Sequence, residues 1–332
     1  RLLTTGGANT VMGYQAAPLL TGGTYNVVLG REAFLAADGS ESNNIAIGQS
    51  SMGAANNDSV DGNVAVGRNS MVGGTGALVN NIAIGYFTMD GTGAIAGQDN
   101  IFMGANAGGG TWATAASNYN VGIGSNVMDS ALNGATYNTA IGYNALSSVT
   151  TGDFNNVMGW NAGLNITTGA QNILMGRDAG NKMVSGSQNI AIGDTSFYYS
   201  MGASNNVVIG ASAGMNIITA GSSVFIGTKA GYANKTGTGV IAIGYEAMGG
   251  TAGTQEGHGI AIGYRAMFEV EDGSSGVAIG NSALDHLVGG YTVGIGNSAG
   301  YYATGSYNTF VGFDAGKGGP TSAPYSSGQN NV

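Results

Sequence analysis

The chain has 332 residues, 63 of them Gly and only 3 Pro, with no Cys and a formal charge of −9. Its 9 basic residues are spread too thinly to hold phosphates, which argues against nucleic acid, and an acidic chain has no attraction for anionic membranes. No apolar run is long enough to span a bilayer, the missing thiols exclude disulfides and Cys-ligated metals, and a hydrophobic share of 43 % is too high for intrinsic disorder.

From its start the chain repeats itself. An apolar triplet closed by Gly appears as "TVMG" at 10–13, "VVLG" at 27–30 and "IAIG" at 45–48, and so on to "TFVG" at 309–312, making 18 copies. The Gly residues are 16 to 20 apart, and six successive intervals between Gly142 and Gly244 are 17. Asn stands four residues before the Gly in 13 copies, and Ala three residues after it in 13. Each triplet is too short for a helix and, with its β-branched residues, predicts a short strand. The Gly suits a corner needing positive φ, and the Asn suits a left-handed turn or a side-chain ladder.

Stacked coils of this kind repeat about every 4.8 Å, so the sequence predicts an all-β parallel β-solenoid of about 18 coils, a rod roughly 85 Å long. Residues 1–332 read as a single repeat array with no separate domains. The array opens inside a repeat with "TTGGANTVMG" and stops inside one with "SGQNNV", which predicts a window on a longer protein.

Within a triplet, side chains alternate between two faces. The outer pairs, such as Ile45/Ile47, Ile82/Ile84 and Ile260/Ile262, are expected to fill the coil. The central residues, from Val11 to Phe310, are then expected to face outward, yet none is polar. An apolar stripe along the outside calls for cover, and three-fold association with identical chains is the expected cover.

The stretches "NNIAIG", "YNTAIGYNAL" and "NNVVIGASAG" resemble the repeats of trimeric fibrous adhesins. One similar group is the head of YadA-like trimeric autotransporters, a left-handed parallel β-roll with a shorter unit near 14 residues. The stretch "GYNALSSVTTGDFNNVMGWNAGLNITTGAQNILMG", 142–176, is similar to the arrays of phage tail-fibre-like proteins, which often precede a self-cleaving chaperone domain. The resemblance covers the whole chain and implies a homotrimer. It also implies a structural shaft or adhesin of a phage tail fibre or tail-like particle, on a virion tail or cell surface, outside the cell. A bacterial surface adhesin or extracellular filament is the alternative, and a carbohydrate-active tailspike a third. Host cell-surface glycan or protein is the partner implied.

No enzyme is expected, and no cofactor or metal. Asp285, His286 and Ser282 could be read as a triad, but adjacent Asp and His point apart on an extended chain. His258 and His286 are the only histidines. The run Glu269 to Gly273 lacks the spaced carboxylates of a Ca²⁺ loop, and a tailspike's paired carboxylates are not evident. The sequons at Asn57, Asn165 and Asn234 matter only in a eukaryotic secretory setting. One column does invite a surface role. The residue after the Gly is aromatic at Tyr14, Tyr86, Tyr143, Trp160, Tyr245, Tyr264 and Phe313. These read either as corner packing or as a sugar- or surface-binding edge. The longer inserts 108–120 and 194–206 carry further aromatics expected to be exposed.

Overall fold

The computed structural model describes residues 5–250, 259–270 and 275–319. His258, Glu271 to Gly273 and the closing "SGQNNV" lie outside them. The described chain is all-β and without helix, a parallel β-solenoid. It divides into two compact units, Arg1–Ala170 and Gln171–Val332, and each carries nine strands of three residues. In the first unit Thr10, Val11 and Met12 pair with Val27, Val28 and Leu29. In the second, Ile190, Ala191 and Ile192 pair with Val207, Val208 and Ile209. Each triplet thus lies in register on the next one in its unit, and like positions form columns.

The faces of the triplet are the reverse of the expectation. Ala46, Ala65, Ala83, Ala191 and Ala242, all central, are completely buried within a single chain. Their flanking residues are half-buried or exposed, as at Ile45 and Ile47 or Ile173 and Met175. Central residues fill the coil, and the outer pairs make its surface. Alternation fixes only that the two sets point opposite ways; with both sets apolar, nothing in the triplet marks which is inside.

The interior obeys a size rule that joins the central residue to the one four after the Gly. Ala46 is opposed by Met52, Ala65 by Met71, Ala191 by Phe197 and Ala278 by Leu284, all fully buried. Where the central residue is large the partner is Gly: Phe102 with Gly108, Leu174 with Gly180, Phe225 with Gly231. The coil has room for about one large side chain, so the pair shares a fixed volume.

Corner geometry follows from inter-coil hydrogen bonds. Gly142 has φ +138, and a Cβ there would run into the Gly159 carbonyl of the next coil. The residues two and four places after the Gly have positive φ in all 18 copies, including bulky ones such as Phe34 at 53° and Met52 at 50°. Such backbone costs non-Gly residues about 1–2 kcal/mol each. The cost is offset because these amides bond to both neighbours. Glu32 N–H donates to Tyr14 O at 2.8 Å on one side, and Phe34 N–H to Ser51 O at 2.9 Å on the other.

The Asn column is a buried ladder. Asn138 Nδ2 donates to Asn120 Oδ1 at 3.1 Å and to Gly152 O at 2.8 Å. Its Oδ1 accepts the Asn155 backbone N–H at 2.9 Å and Asn155 Nδ2 at 3.0 Å. In the second unit the column runs from Asn172 through Asn206 to Ser223, then changes to Val240, Gly259 and Gly276. There Met248 and Met267 take over the space: a Cβ on Gly259 would lie 2.7 Å from Met248 Cε.

Candidate functional surface

Two columns of outward side chains cover the strand face. The column just before the Gly is Ile, Val, Leu or Met in every copy, and the column three before it is Ile or Val in 14 of 18, with Thr or Asn in the rest. No charged residue enters either column. Their exposure is substantial, 37 % at Ile173 and 40 % at Met175. Nine such rungs stand in register in each unit, and a continuous exposed apolar stripe of this kind marks an interaction site.

The face is bordered on both sides by aromatic columns. On one side stand Tyr14, Tyr86, Tyr143, Trp160, Tyr245, Tyr264 and Phe313, all exposed. Tyr245 and Tyr264 stack with centroids 5.4 Å apart and planes 9° apart, which covers one face of each ring. Tyr86 meets Phe87 edge-on at 4.4 Å, with the Arg68 guanidinium 5.7 Å from its centroid. The other border, five residues before the Gly, was not anticipated. It holds Tyr25, Tyr119, Tyr137, Phe154, Tyr291 and Tyr307, also exposed. Tyr119, Tyr137 and Phe154 stack in series at 4.8 and 4.9 Å, and Tyr291 on Tyr307 at 5.2 Å. Their signal was present as aromatics before the Asn, as in "YNTAIG" and "FNNVMG".

The inserts follow the expectation of exposed aromatics only in part. Trp112 is buried, 3 % exposed, with its Nε1 donating to Gly108 O at 3.3 Å. Phe197 is also buried; Tyr119, Tyr199 and Met201 are exposed.

Ionisable groups gather mainly at one place in the second unit. His286 Nδ1 lies 3.2 Å from Asp285 Oδ1 and its Nε2 3.1 Å from Glu269 Oε2, while Arg265 Nε is 3.5 Å from Asp285 Oδ2. Adjacent Asp285 and His286 therefore do meet, against the expectation that they point apart, because the turn after the strand folds them together. Ser282 hydrogen-bonds the carboxylate of Asp285, whereas a Ser–His–Asp relay needs the hydroxyl on the imidazole with His in the middle, so that order is absent. Burial pushes the Asp285 carboxyl up, and Arg265 and His286 oppose the shift. His286 also lies 5.1 Å from the rings of Tyr301 and Tyr302, so the cluster binds three successive coils. In the first unit, burial pushes the Asp129 carboxyl up to about 6, with the charge of Asp90 adding to it. Among the described residues no group of three or more His, Asp or Glu could hold a metal ion. Of the sequons, Asn234 is buried, its Oδ1 accepting Gly237 N–H.

No protein-family model matches the chain, and no curated protein matches it.

Proposed function

We propose that the chain is a structural fibre element, a shaft or adhesin of a phage tail fibre or tail-like particle, assembled as a homotrimer outside the cell and holding host-recognition parts at a distance. The observation that carries this reading is the charge-free apolar strand face. A solenoid of regular rungs with such a face is built to be covered along its length, and identical chains supply a cover of matching repeat. The assignment to a phage tail comes from the repeat resemblance. Interaction with a host glycan or protein belongs to the same reading, with the aromatic borders as contact points.

Multi-angle light scattering at neutral pH tests the assembly. The expected mass is three times the 32.9 kDa of one chain. A monomer at micromolar concentration overturns the reading.

A further inference from the structure

Resting on self-association, a more specific role falls to one residue of the strand face. In the first unit the column three before the Gly begins at Thr10 and is then Ile or Val at six successive rungs, Val27 to Val121. It turns polar at Thr139 and Asn156. Asn156 is the one carboxamide at the outer positions of the 18 triplets. It opens the strand Asn156–Met158, is exposed, and lies in register on Thr139 of the preceding coil. The adjacent Asn155 turns inward and bonds Asn138 Oδ1 at 3.0 Å and Gly169 O at 2.9 Å. The outward side chain of Asn156 makes no hydrogen bond to any described residue, nor does that of Thr139.

Apolar columns by themselves choose an axial register weakly. A second copy displaced by one rung along the first unit, about 4.8 Å, still meets matching side chains at all but one of nine rungs. The rungs differ by little more than Ile against Val, so slipped arrangements compete with the aligned one. Something other than apolar area has to mark the height.

We propose that Asn156 sets the register of the assembly: the carboxamides of three copies meet at one height across the seam, each Nδ2 donating to the Oδ1 of the next. A carboxamide is donor and acceptor at once, so copies of itself satisfy it. A copy slipped by two rungs would set Asn156 against Val121, which offers no hydrogen bond, and an unpaired buried carboxamide opposes that arrangement. One Asn in an otherwise apolar seam specifies register in coiled coils in the same way, at some cost in stability. The occupant is the same chain rather than a foreign partner for two reasons. The columns carry no charge for a charged partner to read, and their one carboxamide is complementary to itself.

Cysteine pairs read the register, since the chain has no Cys. Chains with Ile82→Cys are co-expressed with differently tagged chains carrying Val121→Cys, which lies two rungs on in the same column. Two rungs are roughly 10 Å along the axis, beyond the about 7 Å between Cα atoms that a disulfide tolerates. With Asn156 in place, mild oxidation should bridge Ile82→Cys to Ile82→Cys and Val121→Cys to Val121→Cys, with mixed bridges at background. In the Asn156→Val background the mass should stay that of three chains and the melting temperature should rise, while mixed bridges increase several-fold. Circular dichroism confirms that each variant folds. Mixed bridges at one level in both backgrounds would overturn the proposal. So would an absence of same-rung bridges in an assembly of three chains, which leaves trimerisation standing. Dissociation of the Asn156→Val variant would make the carboxamide a source of affinity rather than of register, and overturns it too. A monomeric parent fails both readings together.

Discussion

The ring of Phe102 occupies the space that a side chain on Gly108 would need: a Cβ there would stand 2.9 Å from three of the ring atoms. Phe102 is central in its triplet and fully buried, and Gly108 lies four residues past the closing Gly of the same coil. The same exchange of volume, reversed, holds between Ala191 and Phe197. It makes the coil interior a shared quantity and gives a direct test. Ala191→Phe should overpack and cost about 1–3 kcal/mol, and Phe197→Gly should leave a cavity and cost about 3–5 kcal/mol. The double variant should lose markedly less than the sum. Urea unfolding of the four proteins measures the coupling, and additive losses would refute a shared volume.

The orientation of the triplet gives opposite outcomes at neighbouring residues. Ala191→Glu places a carboxylate inside the coil and should cost several kcal/mol, with loss of β-structure or a carboxyl held neutral. Ile192→Glu faces outward and should cost the single chain no more than about 1 kcal/mol while dissociating the proposed trimer. Circular dichroism and light scattering on both variants separate folding from assembly. Retention of the assembly in Ile192→Glu would remove the strand face from the interface.

Asn138 donates two hydrogen bonds and accepts two within a fully buried column. Asn138→Ala strips partners from Asn120, Asn155 and Gly152, and should cost about 2–4 kcal/mol from unsatisfied buried groups. Asn138→Asp should be worse at neutral pH, because a carboxylate turns acceptors toward the Asn120 and Gly152 oxygens. Its deficit should shrink on acidification, as the protonated acid restores one donor. Thermal melts at pH 4.5 and pH 7.5 provide the comparison, and equal melting of Asp and Ala variants at both values would deny the ladder its donors.

The raised Asp129 carboxyl predicts a particular pH dependence. Its folded pKa, about 6, lies above the ordinary 3.8, so the folded state holds the proton more tightly. The resulting contribution to stability is complete below 3.8 and is lost as pH rises through about 6, with no further change above. Asp129→Asn should flatten that part of the melting profile between pH 4 and pH 7. An unchanged profile in the variant would place the titration elsewhere.

The sequence by itself determined the period, the strand positions, the glycine corners and the Asn column. Each is a local requirement repeated along the chain, the Gly in 18 copies and the Asn in 13: Gly142 must take φ +138, and Asn138 must bond to the coils on either side. It also marked the aromatics after the Gly, Tyr14 to Trp160 in the first unit and Tyr245 to Phe313 in the second. The direction of the triplet was decided only by closure of the coil, because Ile190, Ala191 and Ile192 are all apolar and carry no mark of inside or outside. Closure puts Ala191 against Phe197 and leaves Ile192 at the surface. The second aromatic border, the burial of Trp112 and the meeting of Glu269 with His286 were likewise settled by stacking. Their partners are brought together by variable loops between repeats, and a spacing that drifts from 16 to 20 residues hides which side chains share a height along the axis.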